Sequence, residues 1–141
     1  MNVSAMALVA LGSNLGHSVD IISRAMQELQ SFSDQPLRQS SLWRSEPVDC
    51  PPGSPPFVNA VVALEPRAAE TPESLLRKLR ALEEKFGRQP KKVLNEPRPL
   101  DLDLIAFGSQ TRNSPELVLP HPRAHLRRFV LQPMRDRKSV V

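Results

Sequence analysis

The segment LDLDL at residues 100–104 alternates leucine with aspartate. In a β-strand, Leu100, Leu102 and Leu104 would point to one face and form part of a core. Asp101 and Asp103 would share the opposite face, with their side chains about 7 Å apart. Paired carboxylates at this spacing suit hard cations that also bind substrate phosphates. The pattern therefore indicates a cation site, although a half-buried strand with its acids facing water would look the same.

Basic residues near this strand favour the cation and phosphate interpretation. Arg98 lies just before the strand and would bring positive charge to its first residues. A second basic cluster follows downstream and consists of His121, Arg123, His125, Arg127 and Arg128. Arginine suits phosphate because its planar guanidinium bonds two oxygens at once. In an extended segment Arg127 and Phe129 would share one face, which favours a binding site over a solvated surface.

Two polar residues interrupt stretches that are otherwise apolar. Glu83 lies four residues after Leu79 on the inner edge of a helix, where a carboxylate needs a donor or a charged partner. Asn59 shares a strand face with Phe57, and its amide could bond a heterocycle or a neighbouring loop. The glycine-containing segment at residues 12–16 lacks the lysine of a phosphate-binding loop, so we predict a tight turn beneath the site.

Composition limits the class of protein. The chain has 141 residues, a net charge of +4 and a pI near 9.8, which predicts one domain over residues 1–141 and an anionic partner. A single Trp, no Tyr and five Phe provide few platforms for stacking bases, so a small polyanion is favoured over nucleic acid. The sequence has no membrane-spanning apolar run and no basic leader before an apolar segment. The one cysteine, Cys50, cannot form an internal disulfide, which predicts a reducing, cytoplasmic location. We also expect a monomer that binds neither nucleic acid nor membrane.

The order of predicted elements is β-α-β-β-α-β. Strands are expected at residues 4–11, 37–44, 57–65 and 100–107, and helices at residues 18–32 and 71–86. Ser18 is predicted to cap the first helix, Thr71 and Pro72 to begin the second, and Gly87 to end it. This order predicts an α+β, ferredoxin-like sandwich, in which helices pack on an antiparallel sheet. RNA-binding modules share it, but aspartates on a central strand would repel an RNA backbone.

Several motifs together resemble the 6-hydroxymethyl-7,8-dihydropterin pyrophosphokinase family of folate biosynthesis. They are ALGSNLG at residues 10–16, SSLWRSEPV at 40–48, FVNAVVALE at 57–65, LLRKLRALEEKFGR at 75–88, PRPLDLDLI at 97–105 and LPHPRAHLRRFVLQP at 119–133. They follow the family order and cover nearly the whole chain. Each motif is weakly specific alone, whereas their combination is highly specific.

The resemblance implies an enzyme that transfers pyrophosphate from ATP to the pterin hydroxymethyl group and releases AMP. It implies two Mg²⁺ ions held by Asp101 and Asp103, with Arg88 and Arg98 completing the catalytic set. The residues it implies for ATP are Glu83, Arg88, Arg98, His121, Arg127 and the backbone near Leu104. Those it implies for the pterin are the rings of Phe57 and Phe129, the Asn59 side chain and backbone around Ser45, Pro47 and Val48.

The chain departs from the family pattern between Gly87 and Arg98. Where the family carries a second arginine and a Trp-Gly pair, this chain has Pro90, Asn95 and Glu96. In the family this loop closes over bound ATP. A catalytically impaired homologue that binds nucleotide or pterin is therefore the alternative to an active enzyme.

Overall fold

A computed structural model describes residues 6–14, 16–45, 53, 55–87 and 99–122. Its elements, in chain order, are β1 (Ala7–Ser13), α1 (Ser18–Gln30), β2 (Arg38–Gln39), β3 (Trp43–Ser45), β4 (Phe57–Leu64), α2 (Pro72–Lys85), β5 (Asp101–Phe107), β6 (Arg112–Asn113) and β7 (Val118–Leu119). The main sheet has the order β2-β4-β1-β5, and β3 also pairs with β4. Strands β6 and β7 form a separate two-stranded ribbon.

The core lies between the main sheet and the two helices. Leu11 of β1 is opposite Ala60 of β4 on one side and Leu102 of β5 on the other. These residues are at most 2% exposed and join one apolar cluster with helix residues such as Ile22 and Leu79. Every pairing within the main sheet is antiparallel. The predicted α+β, ferredoxin-like arrangement is confirmed.

The start of α2 is confirmed as predicted. The Thr71 hydroxyl accepts a hydrogen bond from the Ser74 amide at 3.0 Å, and the Thr71 amide donates to the Ser74 hydroxyl at 2.9 Å. Pro72 is the first helical residue, where its missing N–H leaves no bond unmade. At the other end Gly87 has a φ of 93°, a left-handed conformation that suits glycine after a helix.

The predicted cap of α1 is wrong. His17 is the N-cap residue, with the non-helical angles φ −83° and ψ 78°, whereas Ser18 is already helical. The Ser18 hydroxyl instead bonds the Ser13 hydroxyl at 3.1 Å. Ser18 therefore connects the helix to the end of β1 rather than capping the helix.

The predicted strand over residues 37–44 is wrong as one continuous element, because it divides into β2 and β3. Between them, Ser40 donates its amide to the Val61 carbonyl at 2.9 Å. The Val61 amide then donates to the Ser40 hydroxyl at 2.9 Å. The Ser40 hydroxyl therefore accepts the bond that a main-chain carbonyl would accept in a continuous strand. This interrupts the main-chain hydrogen bonds between residues 37–44 and β4.

Two further differences bear on the site. Strand β1 continues past its predicted end at residue 11, because Gly12 and Ser13 pair with Asn59 and Val58. The unpredicted β6–β7 ribbon is joined to α2 by an ion pair between Arg112 and Glu73 at 2.6 Å.

Neither of the two described helices is long and apolar enough to cross a bilayer.

Candidate active site

The two strand aspartates lie where the alternation placed them. Leu100, Leu102 and Leu104 are at most 2% exposed and belong to the core. Asp101 and Asp103 are half-buried on the other face of β5, away from the helices. Their positions two residues apart on a strand separate the two Cα atoms by about 7 Å. The sheet therefore presents two carboxylates side by side on the face opposite the one that packs against α1 and α2.

Gly12 lies in the middle of this face. Its neighbour on β4 is Asn59 and its neighbour on β5 is Asp101. A Cβ at this position would be 3.4 Å from Phe57 Cδ1 and 3.5 Å from Asn59 Oδ1. The missing side chain thus leaves a shallow floor between Asn59 and Asp101, whose strands are about 10 Å apart.

Asn59 is oriented by its neighbours on β3. Its Nδ2 donates to Ser45 Oγ at 2.9 Å and approaches the Trp43 carbonyl at 3.4 Å. Ser45 is opposite Phe57 in the sheet register. Because Nδ2 is held on the β3 side while Oδ1 faces Gly12, the amide is already positioned at the edge of the floor. The structure therefore brings together Ser45, Phe57 and Asn59, three of the residues predicted to contact the substrate.

The tight turn predicted at residues 12–16 is wrong for Gly12 and Ser13, which are paired residues at the end of β1. Ser13 and Asn14 are at most 1% exposed. Asn14 Nδ2 donates to the Pro55 carbonyl at 3.4 Å, which connects the end of β1 to the segment entering β4. We did not select Asn14 from sequence, although a buried amide directly after a strand was an available signal.

A second depression adjoins Asp103 at the edge of β5 that faces away from β1. It has a volume of about 180 Å³, and its lining includes Arg80, Asp103, Leu104 and His121. The His121 amide donates to the Ile105 carbonyl at 3.0 Å, which places the imidazole against β5. His121 Nε2 is 3.9 Å from Asp103 Oδ1. Two of the predicted ATP residues, Leu104 and His121, thus lie together beside the aspartates.

Glu83 is buried and bonded to the same strand. Its side chain is 2% exposed, and its Oε2 accepts a hydrogen bond from the Leu102 amide at 2.8 Å. Its Oε1 is 3.0 Å from Arg80 Nη1, which also donates to the Leu102 carbonyl at 2.8 Å. The expected partner of the inner-edge carboxylate is therefore present. Arg80 was missed at the sequence level, although its place three residues before Glu83 on one helix was a signal.

The donors on this face fit a cation that is shared with phosphate. Within the described part of the chain, no group of three or more His, Cys, Asp or Glu residues could hold a metal by itself. Asp101 and Asp103 provide oxygen donors, which Mg²⁺ prefers, and such sites are usually completed by substrate phosphates and water. The pair therefore fits a cation that arrives with its polyphosphate.

The remaining predicted site residues lie outside the described residues. They are Pro47, Val48, Arg88, Arg98, Arg127 and Phe129. The loop at residues 89–96, where the chain departs from the family pattern, also lies outside them.

Comparison with known proteins gives a consistent assignment. Residues 8–139 match the family described as 7,8-dihydro-6-hydroxymethylpterin-pyrophosphokinase. The folic acid synthesis protein fol1 of Pneumocystis carinii is 36% identical over 129 residues, which are 91% of this chain and 17% of that protein. The 2-amino-4-hydroxy-6-hydroxymethyldihydropteridine pyrophosphokinase of Synechocystis is 36% identical over 130 residues, which are 92% of this chain and 65% of that protein.

The protein of the same name from Porphyromonas gingivalis is 37% identical over 136 residues. These are 94% of this chain and 90% of that protein. The chain thus spans less than two thirds of the fol1 and Synechocystis proteins, but most of the Porphyromonas one.

Proposed function

Because the chain belongs to the 7,8-dihydro-6-hydroxymethylpterin-pyrophosphokinase family, we propose that it transfers pyrophosphate from ATP to 6-hydroxymethyl-7,8-dihydropterin. The pterin hydroxymethyl oxygen attacks the β-phosphorus of ATP and loses its proton. The bond from the β-phosphorus to the oxygen bridging it to the α-phosphate breaks, and AMP leaves. The observation that carries this proposal is the row Asn59–Gly12–Asp101, in which an amide that could bond a heterocycle and a carboxylate lie on either side of a glycine.

The pterin would occupy the floor over Gly12. A flat ring needs a surface without protruding side chains, and an added Cβ there would contact Phe57 and Asn59. Asn59 would bond the edge of the heterocycle, and Phe57 would cover one of its faces. Ser45 would orient Asn59 through the bond to Nδ2. The resemblance adds Phe129 on the opposite face of the ring, and backbone at Pro47 and Val48.

Asp101 and Asp103 would hold two Mg²⁺ ions that arrive with ATP. When bound, such ions would supply positive charge that offsets the negative charge developing at the attacked phosphorus. The two carboxylates contribute fixed positions on a paired strand, which reduces the reorganisation needed during transfer. The support for this step is their shared half-buried face beside Gly12.

ATP would extend from the aspartates into the depression at the edge of β5. Strand alternation directs the backbone groups of Leu104 to the same edge as those of Leu102, where an adenine could bond them. His121 lies beside Asp103 and could contact a phosphate. The resemblance adds Arg88, Arg98 and Arg127 as phosphate contacts. It also gives Glu83 as an ATP contact, which stays a prediction because both carboxylate oxygens already bond within the protein.

We further propose that the chain works as one domain and as a monomer in the cytoplasm. The support is that both helices and the main sheet contribute to one apolar cluster. The single cysteine, Cys50, also fits a reducing compartment.

The test is to mix the purified protein with ATP, Mg²⁺ and the reduced hydroxymethylpterin and to analyse the nucleotide products. Equal amounts of AMP and pterin pyrophosphate are expected. Release of ADP would contradict pyrophosphate transfer. Binding of both ligands without AMP would support the impaired homologue suggested by Pro90, Asn95 and Glu96.

A further inference from the structure

Two side chains of α2 bond the main chain of β5 at the edge that faces away from β1. On its other edge β5 pairs with β1, and among the described strands it is the last of the main sheet. On the other side the Leu102 amide donates to Glu83 Oε2, and the Leu102 carbonyl accepts from Arg80 Nη1, each at 2.8 Å. The same Nη1 is 3.0 Å from Glu83 Oε1. A carboxylate and a guanidinium thus provide the acceptor and the donor that a neighbouring strand would provide.

The position of these bonds matters because Leu102 lies between Asp101 and Asp103. The Leu102 amide belongs to the peptide plane that joins it to Asp101. The Leu102 carbonyl belongs to the plane that joins it to Asp103. These two planes help to set the Cα–Cβ directions of the two aspartates, because a peptide unit rotates as a rigid body. Holding both planes therefore restricts the positions that both carboxylates can reach.

We propose that Arg80 is a positioning residue for the metal-binding aspartates and acts through the backbone of Leu102. This inference rests on the proposed function, since it concerns the same site. Arg80 provides a charge for the buried Glu83 and the donor for the Leu102 carbonyl, so its loss disturbs both bonds. Groups that orient metal ligands without touching the metal typically change metal affinity or activity by about 10- to 100-fold when removed.

A direct contact with the nucleotide is the competing explanation. Arg80 has a side chain 47% exposed and lines the depression beside Asp103 and His121. The two explanations differ in which kinetic parameter changes. Loss of positioning raises the Mg²⁺ requirement and lowers kcat, whereas loss of a nucleotide contact raises the KM for ATP alone.

The experiment compares Arg80→Met with Arg77→Met. Arg77 is exposed on the same helix and its replacement removes the same charge, so it is the matched control. For Arg80→Met we expect the Mg²⁺ concentration for half-maximal AMP release to rise about 10-fold, with the KM for the pterin unchanged. For Arg77→Met we expect wild-type kinetics. An Mg²⁺ requirement in Arg80→Met equal to that of Arg77→Met would overturn the proposal.

Arg80→Lys provides a second variant if Arg80→Met does not fold. Lysine keeps the charge but lacks the planar fork, which carries several N–H groups in a fixed geometry. If both variants fold, the proposal expects the Mg²⁺ requirement of Arg80→Lys to lie between those of the wild type and Arg80→Met. If only Arg80→Lys folds, its Mg²⁺ requirement should exceed that of the wild type. Full recovery of the wild-type Mg²⁺ requirement in Arg80→Lys would overturn it.

A binding measurement separates this inference from the proposed function. If the wild-type protein releases no AMP, the proposed function fails, but calorimetry can still measure Mn²⁺ binding in the presence of a non-hydrolysable ATP analogue. Weaker Mn²⁺ binding by Arg80→Met than by Arg77→Met supports the positioning role. Equal Mn²⁺ binding by the two variants overturns it.

Discussion

Replacing Gly12 with alanine should weaken pterin binding while leaving the fold intact. The added Cβ would lie 3.4 Å from Phe57 Cδ1 and 3.5 Å from Asn59 Oδ1, which are ordinary van der Waals distances. Gly12 is not among the glycines with positive φ, so alanine can adopt its backbone conformation. In a strand, alanine is more favourable than glycine by roughly 0.5–1 kcal/mol, because glycine loses more conformational freedom on folding.

The same methyl group occupies the floor on which the pterin is proposed to lie. Inserting one methyl group into a close-packed contact typically costs about 1–3 kcal/mol. At about 1.4 kcal/mol for each factor of ten, this corresponds to a Kd for the pterin roughly 5- to 150-fold higher. The fold and the ligand should therefore respond in opposite directions to one substitution.

Calorimetric titration with the pterin, together with thermal unfolding, measures both effects. Gly108→Ala is the control, because Gly108 follows β5 with a φ of 56°, where alanine is strained. That variant should lose about 1 kcal/mol of folding free energy and therefore unfold at a lower temperature. It should bind the pterin normally. An unchanged pterin Kd in Gly12→Ala would refute the placement of the ligand over this row.

Three other substitutions test separate parts of the site and fold. Asp101→Ala should greatly reduce AMP release at ordinary Mg²⁺ while thermal unfolding stays near that of the wild type, because a partly exposed acid contributes little stability; unchanged turnover would contradict its metal role. Asn59→Ala should weaken pterin binding by roughly 1–3 kcal/mol in calorimetry and leave ATP binding unchanged, whereas equal losses for both ligands would indicate a general defect. Burial raises the pKa of Glu70, but hydrogen bonds from Lys78 and Ser74 outweigh it and hold the pKa below its ordinary value. Ionised Glu70 therefore stabilises the fold above the pKa that it has in the unfolded chain. Glu70→Gln should lower Tm at pH 7, and its difference from the wild type should shrink as the pH falls below about 4; a difference that does not depend on pH would contradict this.

Local patterns in the sequence were sufficient to locate the two helices and the longer strands β1, β4 and β5, but not the division into β2 and β3 or the β6–β7 ribbon. The alternation at residues 100–104 assigned the leucines to the core and the aspartates to the opposite face, because successive side chains of a strand point in opposite directions. Thr71 and Pro72 predicted the start of α2, since capping depends on residues within one helical turn. In the same way, Asn59 and Glu83 were recognised as polar residues in apolar surroundings.

Tertiary structure alone decided how these elements combine into a site. Gly12, Asn59 and Asp101 form one row because β1 pairs with β4 and β5 in a particular register. That register depends on which faces are buried across three strands that are distant in the sequence. The contact of Arg80 with Leu102 depends on how α2 packs over the edge of β5 that faces away from β1, and the interruption at Ser40 depends on a side-chain bond to β4. The sequence determined which residues could do chemistry, and the packing of sheet and helices determined which of them meet, because register and helix placement arise from contacts between distant segments.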